Sequence, residues 1–373
     1  MRSVIMVTAA ALLTACGGGD GGNNGRPPDV NPGLPASISV APENTGDGWI
    51  PSIPANEGMS AAELQGTLEL IRDKVFTKVD SMVVVRHGKL IAEGYFNGFG
   101  RDSLHDLRST GKSFTSALAG IAVGQGLFSV ADPISQHVPQ FDRHENMSDR
   151  KRSIQVYHLL NMNSGLECND WLPGSRGNEE RMYDTRDWVG FILDLPMAFD
   201  PGQAMQYCTG GVVVLGYIIS QASGMALDAY ADAYLFGPLA IRDAAWRRSP
   251  DGAATGGGGL HLRPRDAAKL GQLYLNGGTW NGARVVPADW VTLSEQRLNS
   301  LGSDRYGYLW WKRSFSRASG NVDSYFTSGN GGNYIFVMPS VDLVVVFTGS
   351  NYNSSLGDQP FTILAERVLP AIH

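Results

Sequence analysis

A serine and a lysine three residues apart are the side chains in this sequence that most directly suit catalysis. The stretch "RSTGKSFTSALAG" places Ser109 three residues before Lys112, at the start of a small, apolar run. Three residues advance about 300° around a helix, so both side chains lie on nearly the same face. A lysine accepts the proton of a serine hydroxyl only when it is uncharged, which burial and the positive end of the helix dipole favour. The pair indicates either a nucleophile with its base or a helix that begins with an ordinary serine cap.

The spacing alone does not separate these two interpretations. The same spacing occurs at Ser148 and Lys151 within "SDRKR", where the neighbouring charges predict a solvated surface. The run "FTSALAGIAVGQGLF" that follows Lys112 is small and apolar enough to be buried. We therefore expect Lys112 to be dry and Lys151 to be exposed.

The elements that must position this pair can be located by their patterns. The segment "SAAELQGTLELIRDKVFTKVD" opens with Ser60 three residues before Glu63, which is a capping box, and predicts an amphipathic helix. Its apolar residues at helical spacing are Leu64, Leu68, Ile71 and Val75. The segment "SMVVVRHGKLIAEGYF" predicts two strands joined by a turn at residues 87–89.

Strand patterns return near the C-terminus. The segments "YGYLWWKR", "NYIFVMP" and "LVVVFTGS" each predict a strand, with a turn around Pro339 to Asp342 between the last two, and "DQPFTILAERVLPAI" predicts a helix. The region from Ser109 to about Leu275 is mostly helical in pattern. We expect an α+β fold in which one antiparallel sheet is built from both ends of the chain, is flanked by helices, and carries an inserted, mostly helical region.

Five ordered blocks closely resemble the serine hydrolases related to class C β-lactamases, which include DD-peptidases, esterases and hydrolases of 6-aminohexanoate oligomers. The blocks begin with "RSTGKSFTSALAG", "IQVYHLLNMNSGLE", "PGQAMQYCTGG", "GGGGLHLRPRDAAKL" and "TSGNGGNYIFVMP", and the resemblance covers about residue 60 to the C-terminus. It implies a β-lactamase/transpeptidase-like fold. It also implies an enzyme that needs no cofactor.

The resemblance assigns roles by position. It makes Ser109 the acylated nucleophile and Lys112 the amine that takes its proton. Tyr207, in "YCT", fills the tyrosine place of the family's Y-x-N motif and would relay the proton to the leaving group; without the resemblance it would be a core aromatic residue. The backbone amides of Ser109 and Asn330, or less favourably Gly331, would form an oxyanion hole worth about 3 to 4 kcal/mol per donor.

Two departures from the family pattern concern the substrate. Thr327 stands where relatives that bind a substrate carboxylate have Lys or His, beside Ser328 and Gly329, which we expect to contact substrate. Thr209 replaces the Asn of Y-x-N, a side chain that commonly holds the acyl-side amide. Both changes favour a small ester or amide without a carboxylate next to the scissile bond, and the motifs are most similar to those of the 6-aminohexanoate-dimer hydrolases. The alternatives are a β-lactamase or DD-carboxypeptidase, and a non-catalytic envelope lipoprotein that keeps the fold for binding.

The N-terminus predicts export. The segment "MRSVIMVTAAALLTAC" has one charge and a short apolar run, and it resembles a bacterial lipoprotein signal that is cleaved before Cys16, whose thiol is then acylated. The alternative is an ordinary secretory signal with a chance cysteine. We expect a signal peptide over residues 1–15, a flexible tether over 16–37, and a hydrolase domain over 38–373 whose helical region spans about 109–275. The residue after Cys16 is Gly17 rather than Asp, which favours the outer membrane of the cell envelope.

The cysteines, the net charge, the histidines and a glycine run limit which compartment, ligands and partners we expect. Cys168 and Cys208 predict a disulfide in an oxidising compartment, the alternative being two buried thiols. The net charge of −6 and the absence of a basic cluster argue against nucleic acid as a partner. The histidines lack metal-ligand spacing, so no metal is expected, and His158 is interpreted as a hydrogen-bonded structural residue. The four glycines from Gly256 to Gly259 are interpreted as a turn, because they lack the continuation of a phosphate loop.

Overall fold

The structure, a computed structural model, describes residues 31–296, 299–301, 304–317 and 320–373. The predicted signal peptide, the predicted lipidation site Cys16 and the tether up to residue 30 lie outside the described residues. The described part of the tether leads into the first strand, which begins at Ser37.

The strands form one large sheet and two small ones. They are β1 Ser37–Ser39, β2 Ile50–Pro51, β3 Val79–Arg86, β4 Lys89–Tyr95, β5 His105–Asp106, β6 Ala245–Trp246, β7 Leu260–Leu262, β8 Thr279–Trp280, β9 Ala283–Arg284, β10 Asn299–Leu301, β11 Asp304–Gly307, β12 Trp310–Phe315, β13 Val322–Gly329, β14 Asn333–Met338 and β15 Leu343–Gly349. The large sheet has the order β1-β4-β3-β15-β14-β13-β12-β11-β10, with β2 pairing β4.

This sheet confirms the predicted α+β architecture. The N-terminal strand β3 pairs antiparallel with the C-terminal strand β15, from Leu343 opposite Arg86 to Gly349 opposite Val79, so the two ends of the chain meet in the middle of the sheet. All of its described neighbours are antiparallel except β2 with β4. The β3–β4 hairpin turns at His87 and Gly88, both with positive φ. Such a two-residue turn matches the right-handed twist of the strands.

The interpretation of "YGYLWWKR" as one strand was wrong, because the segment contains a hairpin. Gly307 at the end of β11 pairs with Trp310 at the start of β12. Tyr308 and Leu309 between them have φ of 50° and 64°. This is the same type of two-residue turn as at His87 and Gly88, but here no glycine marks it in the sequence.

The α-helices lie before, between and after these strands. They are α1 Ala61–Arg72, α2 Gly111–Gly124, α3 Asp149–Arg152, α4 Val156–Leu160, α5 Glu179–Tyr183, α6 Trp188–Leu193, α7 Thr209–Ser223, α8 Leu227–Ala231, α9 Pro264–Leu275, α10 Ala288–Gln296 and α11 Gln359–Ile363. Helix α11 continues as one π-helical turn, Leu364–Val368. Helix α9 lies directly on the large sheet, where a Cβ at Gly271 would come within 2.6 Å of Val344 and 2.8 Å of Ile335. In the small sheet β5-β7-β6, strand β5 comes just before the helical region and β6 and β7 lie within it.

Helix α1 begins as predicted but ends early. The Ser60 hydroxyl accepts a hydrogen bond from the amide of Glu63. The helix stops at Arg72 because Lys74 adopts φ of 63° and the amide of Val75 donates back to the carbonyl of Leu70. This left-handed ending is a Schellman motif, here built on a lysine instead of a glycine. Val75 is therefore not part of the apolar stripe and is 61% exposed.

The prediction that Lys151 lies on a solvated surface was also wrong. Ser148 caps α3, as its position suggests, but the Lys151 side chain is fully buried. Its Nζ donates to the carbonyl oxygens of Glu145 (2.6 Å) and Leu193 (2.8 Å). Leu193 is the last residue of α6, so the ammonium lies at the negative end of that helix. Burial lowers the pKa of Lys151.

Within the described residues, no single helix has the length and apolar composition to cross a bilayer. Helix α7 and the segment Leu227–Phe236 satisfy the length and composition criteria together, but they are bent by 74°.

Candidate active site

Ser109 lies in a 3-10 turn, Arg108–Thr110, that leads directly into α2. The turn begins with Arg108 at φ of 52°, whose amide donates to the Asp106 carboxylate (2.8 Å). Two glycine segments press against it. A Cβ at Gly329 would collide with the carbonyl oxygen of Leu107, and one at Gly258 would come within 3.2 Å of the Arg108 carbonyl oxygen. The serine is therefore held by backbone packed on both sides of its turn.

Lys112 is placed next to this serine. Its Nζ lies 2.8 Å from the Ser109 Oγ, and the residue is only 2% exposed. Every residue of α2 from Gly111 to Ala122 is buried, so the amine is held out of bulk water. A separation of 2.8 Å between the two atoms is suitable for direct proton transfer in either direction.

Tyr207 is the third member of the cluster and forms an aromatic wall. The Lys112 Nζ lies 5.2 Å from the centroid of its ring. Trp171 stacks on Tyr207 with centroids 5.2 Å apart and planes within 7°, and Trp311 lies 6.2 Å away at 26°. Both tryptophans line the cavity beside Ser109, whereas Trp310 is fully buried against Tyr274. Two of these three tryptophans therefore line a cleft and one packs the core.

A disulfide joins Cys168 to Cys208, which confirms the predicted pairing. The Cα atoms are 5.4 Å apart and 40 residues separate the two positions in sequence. The bond connects the residue after Tyr207 to the segment that carries Trp171. The Cys208 sulfur also accepts the amide of Gly211 and so caps α7.

Asp170 is a buried residue of the site that the sequence analysis missed. Its carboxylate accepts the amides of Thr209 (2.6 Å) and Glu179 (2.9 Å), and it is 2% exposed. Burial, with a further contribution from the Glu179 charge, raises the pKa of Asp170 to about 7, while Lys112 acts in the opposite direction. Its neighbours "CNDWLPGS" have the composition of a polar loop, and only its position two residues after Cys168 could have pointed to it.

The stretch "TSGN", residues 327–330, lies at the end of β13. Ser328, Gly329 and Asn330 line the cavity beside Ser109, as the predicted substrate contacts and oxyanion hole require. Thr327 does not, because it is fully buried and its hydroxyl accepts the amide of Ile335 (2.9 Å). Alternate residues of a strand point to opposite faces, so Thr327 and Ser328 cannot both face the cavity.

Thr209 is likewise placed behind the cavity wall. It is the first residue of α7, it is buried, and its amide binds Asp170. Its methyl group and carbonyl oxygen face Gly257, where an added Cβ would lie within 2.9 Å of the methyl carbon. Thr209 therefore fixes the start of the helix that follows Tyr207.

The cavity at Ser109 has a volume of about 90 Å³. Besides Ser109 it is lined by Trp171, Tyr207, Trp311, Ser328, Gly329, Asn330, Gly331, Gly332, Tyr334, Ser354, Gly357 and Asp358. A smaller cavity of about 50 Å³ shares Ser109 and Asn330 and is lined by charged groups, among them Arg108, Glu179 and Arg247. A substrate bound at Ser109 therefore has an aromatic compartment on one side and a charged one on the other.

Further expectations concern His158, metal binding and the glycines at 256–259. His158 accepts the amide of Gln155 through Nδ1 (2.9 Å), as expected of a structural histidine, and burial lowers its pKa. In the described part of the chain, no group of three or more His, Cys, Asp or Glu side chains could hold a metal ion. The glycines at 256–259 form the expected turn, and it contacts the turn that carries Ser109.

A serine hydroxyl beside a dry lysine amine and a tyrosine, at a cavity bordered by the end of a sheet strand, has the construction of a serine hydrolase site. Residues 69–366 match the Beta-lactamase family, and the chain belongs to that family as a serine hydrolase.

Its relatives include a 6-aminohexanoate-dimer hydrolase and an esterase. The 6-aminohexanoate-dimer hydrolase of Paenarthrobacter ureafaciens is 26% identical over 292 residues, which cover 72% of each chain. Esterase EstB of Burkholderia gladioli is 27% identical over 211 residues, covering 51% of this chain and 53% of the esterase. The penicillin binding protein from Bacillus halodurans shares the fold, with a TM-score of 0.64 at 17% identity over 81% of this chain and 99% of that one.

Proposed function

We propose that this serine hydrolase cleaves small esters or amides through an acyl-enzyme on Ser109. The observation that carries the proposal is the 2.8 Å separation between the Ser109 Oγ and the Lys112 Nζ, in a place where Lys112 is 2% exposed. A dry amine at this distance is suited to accept the hydroxyl proton as the oxygen attacks.

The proposed reaction has two halves. In the first, Lys112 takes the Ser109 proton, the Ser109 oxygen bonds to the substrate carbonyl carbon, and the amides of Ser109 and Asn330 stabilise the oxyanion. Tyr207 gives its phenolic proton to the leaving group and regains one from Lys112. In the second half, water attacks the acyl carbon, its proton passes to the same pair, and the Ser109 oxygen leaves reprotonated. Every proton taken up is returned, so no cofactor is needed.

The aromatic cavity supports a small substrate whose portion bound there has no carboxylate, because Arg108 and Arg247 line the smaller, charged cavity instead. None of the described residues that line the 90 Å³ cavity is a Lys, Arg or His, and one of them is Asp358. A substrate carboxylate there would meet an acidic side chain and no cation. The names of the relatives, a 6-aminohexanoate-dimer hydrolase and an esterase, agree with these two bond types, since two 6-aminohexanoate units are joined by an amide bond.

The place of action is also part of the proposal. The sequence of residues 1–16 supports an exported lipoprotein acylated on Cys16 and held at the cell envelope, with the outer membrane favoured. The disulfide between Cys168 and Cys208 agrees with an oxidising compartment. Replacing Cys16 with Ala should move the protein from the membrane fraction to the soluble fraction, and unchanged partitioning would refute acylation.

The catalytic proposal is tested with p-nitrophenyl butyrate, a fluorophosphonate probe and a chromogenic cephalosporin. Ser109→Ala should abolish labelling and turnover, and Lys112→Met should lower kcat/KM by about 10²- to 10⁴-fold while keeping the side-chain volume. Ser116→Ala, a buried serine of the same helix that does not line the cavity, is the control and should keep full activity. Turnover that survives Ser109→Ala would refute the proposal. Rapid cephalosporin turnover would instead assign a β-lactamase.

A further inference from the structure

Two chain segments are bonded to each other next to Tyr207, and we refer to them together as the Tyr207 clamp. One segment contributes Cys168, Asp170 and Trp171, and the other is residues 207–209. The disulfide joins Cys168 to Cys208, the Asp170 amide donates to the Tyr207 carbonyl (2.8 Å), and the Asp170 carboxylate accepts the Thr209 amide (2.6 Å). Trp171 then stacks on the Tyr207 ring. The segment 207–209 is thus held by the disulfide and two hydrogen bonds, and the Tyr207 ring packs on Trp171 as well as on Trp311.

The position of Tyr207 depends on such contacts because no regular element contains it. Residues 204–208 form neither helix nor strand, and α7 begins only at Thr209. This stretch also makes backbone hydrogen bonds to Met162, whose carbonyl accepts the Gln206 amide (2.7 Å) and whose sulfur accepts the Cys208 amide (3.0 Å). By contrast, Ser109 and Lys112 are fixed to one another by α2 and the turn that leads into it.

We propose that Asp170 and the Cys168–Cys208 disulfide are positioning residues for proton transfer by Tyr207. The inference rests on the proposed function, since it concerns the step in which the phenol protonates the leaving group. The clamp holds the ring at a fixed place beside Lys112, whose Nζ lies 5.2 Å from the ring centroid. Because Ser109 and Lys112 are held by α2 and the turn that leads into it, a loosened clamp displaces chiefly the phenol. Such a change impairs leaving-group protonation and spares nucleophilic attack.

This step can be isolated by changing the leaving group of the substrate. p-Nitrophenolate departs readily as an anion, whereas phenolate and trifluoroethoxide are progressively more basic and depend more on a proton donor. The three butyrate esters share one acyl group, and kcat/KM reports only the steps through acylation. The readout is the ratio of kcat/KM for p-nitrophenyl butyrate to that for trifluoroethyl butyrate, with phenyl butyrate between them.

The disulfide arm uses Cys168→Ala combined with Cys208→Ser, which removes the covalent link but keeps a side-chain oxygen to cap α7. We expect the ratio to rise at least tenfold in this variant and in the wild type treated with reductant. Reoxidation of the wild type should restore the original ratio. The double variant should not respond to reductant, which shows that the effect comes from this disulfide.

The carboxylate arm uses two substitutions of Asp170. Asp170→Ala should raise the ratio at least tenfold, and Asp170→Asn, which keeps one acceptor oxygen, should restore part of it. Tyr207→Phe is the reference and should raise the ratio most. Asp187→Ala removes the N-cap of α6 at a residue that lines neither cavity at Ser109, and should leave the ratio unchanged.

The possible outcomes distinguish a failure of the inference about the Tyr207 clamp from a failure of the proposed function. Equal losses on all three esters in both clamp arms would show a merely structural role and overturn the inference. A raised ratio in Tyr207→Phe without one in the clamp variants would also overturn it, while the proposed function stands. If Ser109→Ala still turns the esters over, the proposed function itself fails. If a substituted protein does not fold, the test still stands on the wild type treated with reductant, provided that its circular dichroism is unchanged.

Discussion

Opening the Cys168–Cys208 disulfide should lower the stability of the fold by an amount that its position in the chain determines. The bond closes a loop with a sequence separation of 40 residues. In the chain-entropy treatment, a loop of that length restricts the unfolded chain by about 13 cal/mol/K, or about 4 kcal/mol at 25 °C. We therefore expect a loss of about 4 kcal/mol in the free energy of unfolding on reduction.

The corresponding shift in melting temperature follows from the size of the domain. Unfolding gains about 2.1 cal/mol/K per residue, so the predicted domain of residues 38–373 gains about 0.7 kcal/mol/K. Dividing about 4 kcal/mol by this entropy gives a decrease in Tm of about 6 °C.

The assay is thermal unfolding followed by circular dichroism, with and without a phosphine reductant, and with free thiols counted to show that the bond is open. The variant with Cys168→Ala and Cys208→Ser should melt at the lower temperature in both conditions. A wild-type Tm that does not change on complete reduction would refute the reasoning, because the link would then not restrict the unfolded chain. A decrease much beyond 6 °C would mean that native contacts of the Tyr207 clamp are lost as well.

Further predictions concern backbone packing and acid stability. Gly329→Ala should abolish fluorophosphonate labelling, because the new Cβ would collide with the Leu107 carbonyl; a labelled, active variant would contradict the packing described. Its control is Gly66→Ala in α1, where an added Cβ would have no neighbour within 4 Å. We expect this variant to gain about 0.5 to 1 kcal/mol in the free energy of unfolding, measured by chemical denaturation. The hydrogen bond from Lys89 lowers the pKa of buried Glu57 to about 2. This stabilisation is present above the ordinary pKa of about 4.5 and is lost as the pH falls from there towards 2, so Glu57→Gln should flatten that part of the stability profile measured by denaturant titration.

The fold was largely predictable because its signals are local. Capping at Ser60, the turn at His87 and Gly88, and the alternation in the C-terminal segments each depend on a few neighbouring residues. The turn at Tyr308 and Leu309 was not predictable in this way, since neither residue is one that favours positive φ. Tertiary packing imposes that conformation.

The spacing of Ser109 and Lys112 pointed to the site, whereas the residues that surround the site were harder to predict from the sequence. Lys112 and Lys151 both follow a serine by three residues, and both are buried, but only Lys112 faces a serine hydroxyl. A long side chain on a short helix can turn inward under a neighbouring helix, as Lys151 does under α6, and the charges beside it in sequence do not show this. Asp170 was missed because its partners, the amides of Thr209 and Glu179, come from segments that only the fold brings together.

The site has two structural supports, one that holds the turn carrying Ser109 and one that holds Tyr207. Because they act on different groups, the loss of one should leave the other intact. The turn that carries Ser109 is wedged between Gly258 and Gly329, which are fixed by the loop before β7 and by β13. Tyr207 is held instead by the disulfide and Asp170, which belong to a loop beside α5. Donors and acceptors fixed before substrate arrives lose little energy to reorganisation during the reaction. A change at Gly329 should thus prevent acylation of Ser109 altogether, whereas a change at the Tyr207 clamp should leave a nucleophile that still reacts with substrates whose leaving groups need no proton.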